Sequence, residues 1–240
     1  MVSVVVTGAN RGIGLGLVKE FLKDDNITVL FATTRNAEVS TELNGIQDPR
    51  VRVLEMDLDS DESIKAAVRT IYATLGGKGL DLLVNNSGVL YPVDMNGPFD
   101  RKAASANMEV NAVGTLIVTQ AFLPLLRKAS SCRGCSRIVN ISSFLGSITS
   151  SMGSTPRNFL AYNMSKAAVN MLTKTLSVDL KDDKIYVTSL CPGWVQTEMG
   201  GKEALLTVEK SASNLVTSIK DLGPEHSGGF YQNILEPLPY

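Results

Sequence analysis

The chain has 240 residues, of which 44% are hydrophobic and 20% are charged, so its composition is that of a globular protein with a large core. The formal net charge of −1 provides no positive field for nucleic acid or anionic lipid, and neither is expected as a partner. The apolar runs are too short to span a membrane, and the first residues lack the basic start of a signal peptide. We therefore expect one domain over residues 1–240 and no membrane association.

Alternating short β-branched runs and amphipathic stretches occupy the whole chain. The predicted strands, in chain order, are VSVVVTG, TVLFATT, VRVLEMDL, LDLLVNNSG, SRIVNISS, IYVTSLCPG and GGFYQ. The predicted helices are GIGLGLVKEFLKDD, DESIKAAVRTIYATLGG, NAVGTLIVTQAFLPLLRKA and FLAYNMSKAAVNMLTKTLSVDL. Strands that are almost continuously apolar indicate a sheet buried on both faces. We predict a Rossmann-type, doubly wound, mostly parallel seven-stranded α/β fold, with helices on both faces and ligands at the carboxyl ends of the strands.

A glycine-rich turn, TGANRGIG, lies between the first strand and the first helix. Gly8 permits a tight turn, Gly12 lets the backbone approach a pyrophosphate, and Gly14 lets the helix pack closely on the strand. The helix N-terminus then presents free N–H groups to phosphate. A purely structural turn is the alternative, whereas a Walker A loop is excluded because no G-K-[ST] sequence occurs. The context favours a dinucleotide site.

The end of the second strand indicates which dinucleotide binds. An acidic residue there would accept hydrogen bonds from the adenosine ribose of NAD, but the chain has Thr34 and Arg35 instead. Arg35 could hold a 2′-phosphate through its planar guanidinium, and Arg11 in the glycine turn could add a second positive charge. Exposed arginines are usually only solvated, yet two at these positions without a carboxylate predict NADP rather than NAD.

Tyr162 and Lys166 are four residues apart in the apolar helical run LAYNMSKAAV, so they lie on one face of a helix. A buried ammonium is costly unless a partner accepts it. One interpretation is a lysine whose ammonium reaches solvent beside a packed tyrosine. The spacing alone does not decide between this packing and a functional pair, so the rest of the chain has to.

The chain resembles the short-chain dehydrogenases/reductases over nearly its whole length, and within them the Sniffer-type carbonyl reductases. The resemblance rests on motifs in the family's order: TGANRGIG, Asp57-Leu58, NNSG at Asn85–Gly88, Asn111, NISS at Asn140–Ser143, YNMSK at Tyr162–Lys166 and PGWVQT at Pro192–Thr197. The narrower similarity rests on NRGIGLGLVKEFL, LSVDL, PGWVQTEMGG and the final residues GGFYQNILEPLPY.

The resemblance implies a role for each residue that matches a family motif. Tyr162 would be the catalytic acid/base, Lys166 its partner, Ser143 the hydroxyl that orients the substrate, and Asn111 the support of a proton relay. In that pair the ammonium of Lys166 is expected to lower the pKa of the phenol, which is ordinarily about 10. The residues expected to bind NADP(H) are Gly8, Asn10, Arg11, Gly12, Ile13, Gly14, Thr34, Arg35, Asp57, Leu58, Asn85, Asn86, Ser87, Gly88, Tyr162, Lys166, Pro192, Gly193, Val195 and Thr197.

Two features depart from the family pattern, and the second lies beside the substrate. Ser87 replaces the usual alanine, which is a small change, and the chain between Ser143 and Tyr162 is longer than the commonest family spacing. The Ser-, Thr- and Gly-rich stretch from Phe144 to Leu160 is typical of an adaptable lid. Trp194 and Met199 could cap the pocket from the other side, although ordinary surface packing is the alternative. Specificity is therefore hard to transfer from the family.

The expected activity is NADPH-dependent reduction of small reactive carbonyls such as aldehydes, α-dicarbonyls and quinones. The alternatives are an NADP-dependent alcohol or steroid dehydrogenase and a non-catalytic NADP-binding regulator. A serine hydrolase is excluded because the single histidine, His226, lies in a C-terminal turn and no G-x-S-x-G sequence occurs. The resemblance also implies a homodimer or a homotetramer.

The chain's three cysteines do not suggest a disulfide framework, so we expect a reducing, cytoplasmic compartment. Cys132 and Cys135 form a C-x-x-C sequence in a Ser/Gly-rich stretch, predicted to be a surface loop before a strand. A zinc site needs about four ligands. The other candidates, Cys191 and His226, are distant in sequence, and no metal is expected.

Overall fold

The computed structural model describes residues 2–150 and 158–240, and in this part of the chain seven strands form one sheet. The order across the sheet is β3-β2-β1-β4-β5-β6-β7, and every neighbouring pair is parallel. The strands are β1 (Val2–Val6), β2 (Ile27–Thr34), β3 (Val51–Glu55), β4 (Leu82–Asn85), β5 (Ser136–Ile141), β6 (Ile185–Cys191) and β7 (Phe230–Gln232). The predicted Rossmann-type fold is confirmed, and the sheet is wholly rather than mostly parallel.

Helices cover both faces of this sheet. They are α1 (Gly12–Phe21), α2 (Thr41–Asn44), α3 (Asp61–Leu75), α4 (Arg101–Met108), α5 (Gly114–Arg133), α6 (Leu160–Asp179) and α7 (Val208–Asp221). Successive side chains of β1 point to opposite faces, so Val4 packs with α1 and α7 while Val5 packs with α3 and α5. Both faces of the strand are buried, which explains why its sequence is continuously apolar.

The helix α7 has no counterpart among the elements expected from the sequence, and neither do the shorter α2 and α4. In α7 the buried residues recur at the three- and four-residue spacing of a helix that packs one face against the core, and they include Ala212, Leu215, Val216 and Ile219. This face lies against α1, so α7 completes the core on the side of the glycine turn.

The C-x-x-C sequence was wrongly expected to lie wholly in a loop. Cys132 belongs to the last turn of α5, which ends at Gly134 with φ 94°, and only Cys135 lies beyond the helix. The preceding residues KASS therefore continue the helix, since nothing before Gly134 breaks it. All three cysteines are free thiols.

The helical stretch Arg101–Arg133 is long and apolar enough to cross a membrane by length and composition alone. Within the protein, however, 44% of its most apolar part is buried. Val118, Phe122 and Leu126 on α5 pack against the sheet and α3. Packing in the core of an α/β domain accounts for this apolar face without a membrane.

Candidate active site

A cavity of about 1870 Å3 opens at the carboxyl ends of the strands, where a doubly wound sheet places its ligands. It exceeds the ~300–1,000 Å3 typical of a small-ligand pocket, so a dinucleotide and a substrate can share it. Most residues expected at the cofactor line this cavity: Gly8, Asn10, Arg11, Gly12, Ile13, Gly14, Thr34, Arg35, Asp57, Leu58, Asn86, Ser87, Gly88, Tyr162, Lys166, Pro192, Gly193, Val195 and Thr197.

The glycine turn has the backbone geometry that only glycine adopts readily. Gly8 and Gly12 have φ values of 63° and 53°, in the left-handed region. A Cβ on Gly14 would lie 2.2 Å from the carbonyl oxygen of Gly8, so α1 packs against the turn with no room for a side chain. The first turn of α1 contains no acidic residue, and its N-cap residue, Arg11, makes no side-chain capping bond. These amides can therefore receive a phosphate.

Thr7 and Asn86 fasten this turn to the end of β4. The hydroxyl oxygen of Thr7 accepts hydrogen bonds from the amides of Asn86 at 3.0 Å and Ser87 at 2.9 Å. In return, Nδ2 of Asn86 donates to the carbonyl oxygens of Thr7 at 2.9 Å and Gly8 at 3.1 Å. No role was expected for Thr7, although a hydroxyl at the end of a buried strand is a signal that could have indicated one.

Asn85 is the exception among the residues expected at the cofactor, because its side chain is buried in the protein and does not line the cavity. Its Nδ2 atom donates to Oγ1 of Thr119 at 3.0 Å and to Oδ1 of Asn140 at 2.8 Å. Asn140 donates in turn to Oγ1 of Thr173 at 2.8 Å, and Thr173 bonds the hydroxyl of Ser189 at 2.7 Å. This polar network joins β4, β5 and β6 to α5 and α6 beneath the site.

At the other end of the cavity, the two expected phosphate-binding arginines differ. Arg35 is exposed and has no hydrogen bond or ion pair with the described residues, so its guanidinium is available to a ligand. Arg11 instead forms an ion pair with Glu198, a residue of the segment that follows β6. Thr34 is buried, and its hydroxyl bonds Ser40 at 3.2 Å. Only Arg35 has the free charge expected from the sequence.

Away from the arginines, α6 presents Tyr162 and Lys166 to the cavity with only 7% and 5% exposure. The Nζ atom of Lys166 donates to the carbonyl oxygen of Ile141 at 2.8 Å and lies 5.7 Å from the centre of the Tyr162 ring. Ser143, just beyond β5, makes a side-chain hydrogen bond with the phenol of Tyr162. Lys166 therefore does not extend to solvent, because its head group has a buried acceptor.

The pKa values of this pair differ from the expectation. Burial raises the pKa of the Tyr162 phenol to about 12, and the hydrogen bond from Ser143 offsets only part of that rise. Burial likewise lowers the pKa of Lys166 to about 8. We expected the ammonium of Lys166 to lower the pKa of the phenol, but burial dominates and raises it instead. The phenol is therefore held protonated at neutral pH.

Asn111 lies in a π-helical turn, Glu109–Val113, between α4 and α5. Its Nδ2 atom donates to the carbonyl oxygen of Val89 and to the hydroxyl of Ser165, both at 2.9 Å, and its Oδ1 atom accepts from the amide of Val89 at 2.8 Å. It does not line the cavity but ties the segment after β4 to α6. Its support of a proton relay stays a prediction.

The substrate side is formed by the segments after β5 and β6. Trp194 and Met199 line the cavity with about half of their surfaces exposed, and Nε1 of Trp194 donates to the carbonyl oxygen of Gly200 at 2.7 Å. Phe159 also lines it, whereas Met152 and the rest of residues 151–157 lie outside the described residues. Cys191, for which no role was expected, also lines the cavity and is buried.

Comparison with known proteins bears on this geometry. The family profile described as short chain dehydrogenase matches residues 3–205. The chain belongs to this family. The predicted family and fold are thus confirmed, together with oxidoreductase as the class of enzyme.

Solved carbonyl reductases extend the similarity to the whole chain. The structure of the putative carbonyl reductase Sniffer of Caenorhabditis elegans is 41% identical, with a TM-score of 0.92 and 100% of both chains covered. The structure of NADPH-bound carbonyl reductase from chicken fatty liver is 34% identical, with a TM-score of 0.94, covering 99% of this chain and 98% of that one. Human 17-beta-hydroxysteroid dehydrogenase type 2 is 36% identical over 83% of this chain and 49% of its own length.

Proposed function

We propose that the protein is an NADPH-dependent carbonyl reductase that converts aldehydes and ketones, chiefly small reactive ones such as α-dicarbonyls and quinones, to alcohols or hydroquinones. The observation that carries the proposal is the buried group of Ser143, Tyr162 and Lys166 in the same cavity as the glycine turn. The NADPH-bound carbonyl reductase from chicken, similar over nearly the whole chain, supports the cofactor and the reaction.

The residues of the cavity fit NADPH. The glycine turn packs closely on α1, because a Cβ on Gly14 would meet the backbone of the turn. The N-cap residue of α1 makes no side-chain capping bond, so the amides at the start of the helix can bind the pyrophosphate. Arg35 would bind the 2′-phosphate, and no carboxylate at the end of β2 opposes that charge. Lys166 would donate to the hydroxyls of the nicotinamide ribose. The bound cofactor supplies the hydride that reduces the carbonyl carbon.

The protein then has to supply the proton and to stabilise negative charge on the carbonyl oxygen. Ser143 donates a hydrogen bond to that oxygen, as an oxyanion-stabilising group does. Tyr162 delivers the proton, and its raised pKa of about 12 keeps the phenol protonated until the oxygen becomes basic. The ammonium of Lys166 stabilises the phenolate that remains. This arrangement suits reduction, because the resting tyrosine is a proton donor.

A second candidate, an NADP-dependent alcohol or steroid dehydrogenase, would use the same residues. The identity of 36% with human 17-beta-hydroxysteroid dehydrogenase type 2 favours it. A non-catalytic NADP-binding regulator has less support, because serine, tyrosine and lysine are all present. The soft and aromatic lining of the substrate side, with Phe159, Trp194 and Met199, supports small varied carbonyls over one rigid ligand.

The oligomeric state and the compartment belong to the same proposal. The outer face of α6 exposes Met164, Met171 and Val178, which are 55%, 67% and 66% accessible and recur every seven residues. Pairing of this face with a second copy would make a homodimer, and a second such contact a homotetramer. Free thiols on the surface suit the reducing cytoplasm. Light scattering of the purified protein measures its mass directly.

The activity is tested by following NADPH absorbance with purified protein and a panel of dicarbonyls, quinones, aldehydes, steroids and sugars. We expect turnover with several small carbonyls at comparable kcat/KM. A steroid or sugar preferred over all of these by about a thousandfold, or ~4 kcal/mol of transition-state binding, would replace the proposal with the dehydrogenase alternative. Binding of NADPH without turnover of any carbonyl would favour the regulator.

A further inference from the structure

Cys191 is the last residue of β6 and the one cysteine whose side chain lies inside the active-site cavity. It is 3% exposed, and the proposed mechanism does not use it. Burial raises the pKa of its thiol, and backbone amides, followed by nearby Lys166, offset only part of that rise. The thiol is therefore neutral at physiological pH and acts through contacts rather than as a nucleophile.

The sulfur of Cys191 contacts the backbone immediately after the catalytic serine. It accepts a hydrogen bond from the amide of Phe144 at 3.1 Å. Phe144 follows Ser143 and begins a 3₁₀ turn, Phe144–Gly146. The thiol thus links the chain leaving β5, which carries Ser143, to the chain leaving β6.

The opposite side of this turn is held by α6. A Cβ on Gly146 would lie 2.7 Å from the carbonyl carbon of Lys166 and 2.9 Å from its Cβ, so the turn presses directly on the helix. Nδ2 of Asn170 donates to the carbonyl oxygen of Gly146 at 3.2 Å. The turn is consequently fixed between β6 and α6, and only its first amide depends on the sulfur.

Ser143 takes its direction from the same turn. Its hydroxyl oxygen accepts a hydrogen bond from the amide of Leu145 at 3.2 Å, and its side chain also bonds the Tyr162 phenol. Rotation of the Phe144 peptide would move the Leu145 amide and with it the serine hydroxyl. An oxyanion donor has to be placed within a few tenths of an ångström, and a 1 Å displacement can cost about a hundredfold in rate.

We propose that Cys191 is a positioning residue of the reductase: its sulfur holds the Phe144 amide and thereby directs the Ser143 hydroxyl to Tyr162 and to the carbonyl oxygen of the substrate. The proposal rests on the function proposed above for Ser143 and Tyr162. Its distinguishing consequence is that the contribution of Cys191 follows the presence of a hydrogen-bond acceptor at that position, not side-chain volume.

Three substitutions separate acceptor from volume. Cys191→Ala removes the acceptor, Cys191→Val fills the space without one, and Cys191→Ser keeps an acceptor of smaller radius. With diacetyl as substrate, we expect kcat to fall about 10- to 100-fold in Cys191→Ala and Cys191→Val. In Cys191→Ser it should stay within about threefold. In all three variants the Kd of NADPH should change much less than kcat does, because Cys191 itself is not among the residues expected to bind the cofactor. Cys132→Ala, at the exposed end of α5, is the matched control with unchanged kcat.

A measurement independent of turnover distinguishes this inference from the proposed function. Hydrogen exchange of the Phe144 amide, followed by NMR, should be slow in the unmutated protein and in Cys191→Ser and fast in Cys191→Ala. An unmutated protein inactive on every carbonyl would remove the proposed function and with it the positioning role. Normal kcat in Cys191→Ala, equal loss in Cys191→Ser and Cys191→Ala, or unchanged Phe144 exchange in an active protein would overturn the inference alone.

Discussion

The two ends of the cavity are built on different physical principles. At the catalytic end, Tyr162 and Lys166 are 7% and 5% exposed, and the polar atoms around them are fixed by hydrogen bonds. At the adenosine end, the side chain of Arg11 is 60% exposed, and Arg35 is exposed as well. Interactions between charges are strong where water is excluded and weak where it is not. Substitutions should therefore reduce turnover at the first end and shift affinity modestly at the second.

The largest effect is expected from Tyr162→Phe. Without the hydroxyl no group delivers the proton, so kcat should fall by ~100- to 10,000-fold, the range of a general acid, while NADPH binds as before. Stopped-flow turnover and NADPH fluorescence titration measure the two quantities separately. Tyr186→Phe, on β6 outside the cavity lining, is the control. A Tyr162→Phe variant that retained activity within about tenfold of the original would contradict the assignment of the acid.

The glycine turn is a test of the difference between the two ends of the cavity, because it belongs to the adenosine end but is as tightly packed as the catalytic end. In Gly14→Ala the new Cβ would lie 2.2 Å from the Gly8 carbonyl oxygen, so α1 or the turn must move. We expect a loss of ~1–3 kcal/mol in unfolding free energy, as for other overpacked sites, together with weaker NADPH binding. Denaturant unfolding and cofactor titration measure these losses.

Gly45→Ala is the matched control for that substitution. Gly45 has φ −73°, and the nearest atom to its added Cβ would be 3.3 Å away. Its cost should be small, since the backbone there is one that alanine adopts. Equal stability and equal NADPH affinity in Gly14→Ala and in the unmutated protein would show that the turn accommodates a Cβ at position 14, which would contradict the expected overpacking.

The elements that sequence predicted well are those with a strong local pattern. Each of these patterns depends on residues that are close together in the sequence: the continuous apolar strands, the glycine turn, and the four-residue spacing of Tyr162 and Lys166. The helix α7 was missed because polar residues surround its apolar positions. Cys132 was placed in a loop because the composition of KASS is not distinctive at a helix end.

The candidate site was predictable as a set of residues but not in its internal geometry. Adjacent asparagines illustrate this: Asn85 ends β4 with its side chain in the core, whereas Asn86 faces the glycine turn. Which of two neighbours points inward depends on the pleat of the strand and on its tertiary partners. The direction in which the pKa of Tyr162 shifts likewise depends on burial, which is a property of the folded protein.

The pH dependence of Lys166 tests whether burial governs the catalytic end. Burial lowers its pKa from the usual 10.5 to about 8, so the ammonium is present below that pH and lost above it. NADPH binding should weaken as the pH rises through 8, by ~1.5–3 kcal/mol for hydrogen bonds from a charged donor. Titrations between about pH 6.5 and 9.5 measure the change. In Lys166→Met, binding should be weaker and independent of pH over this range.

The contribution of Lys166 to stability should change in the opposite direction. Between about pH 8 and 10.5 the unfolded chain retains a proton on this lysine that the folded protein has released. The unfolded state then binds more protons, so the part of the unfolding free energy that depends on Lys166 increases with pH. Comparing the slopes of unfolding free energy against pH for the unmutated protein and Lys166→Met isolates that part. Parallel slopes would place the pKa of Lys166 near its ordinary value.

At the adenosine end, Arg35→Gln should weaken NADPH more than NADH, by ~1–2 kcal/mol, for the loss of a charge-assisted bond to the 2′-phosphate at an exposed site. The difference should shrink with added salt, since exposed charges are screened. Arg52→Gln, an exposed arginine on β3 outside the cavity lining, is the control. Equal affinities of the unmutated protein for the two cofactors would remove the claim of NADP preference.

The smallest effect is expected from Arg11, because its ion pair with Glu198 already neutralises the charge. Both side chains are largely exposed, and such pairs contribute about 0–1 kcal/mol. Arg11→Gln should therefore reduce the preference for NADPH less than Arg35→Gln does.

Glu198→Gln should slightly increase that preference, since it frees Arg11 to interact with the 2′-phosphate. In a variant that carries both Arg11→Gln and Glu198→Gln, the gain in NADPH preference from Glu198→Gln should vanish, because no arginine remains at position 11 to be freed. If Glu198→Gln strengthened NADPH binding equally with and without Arg11, then Glu198 would act by general repulsion of the phosphates, and Arg11 would have no part in cofactor choice.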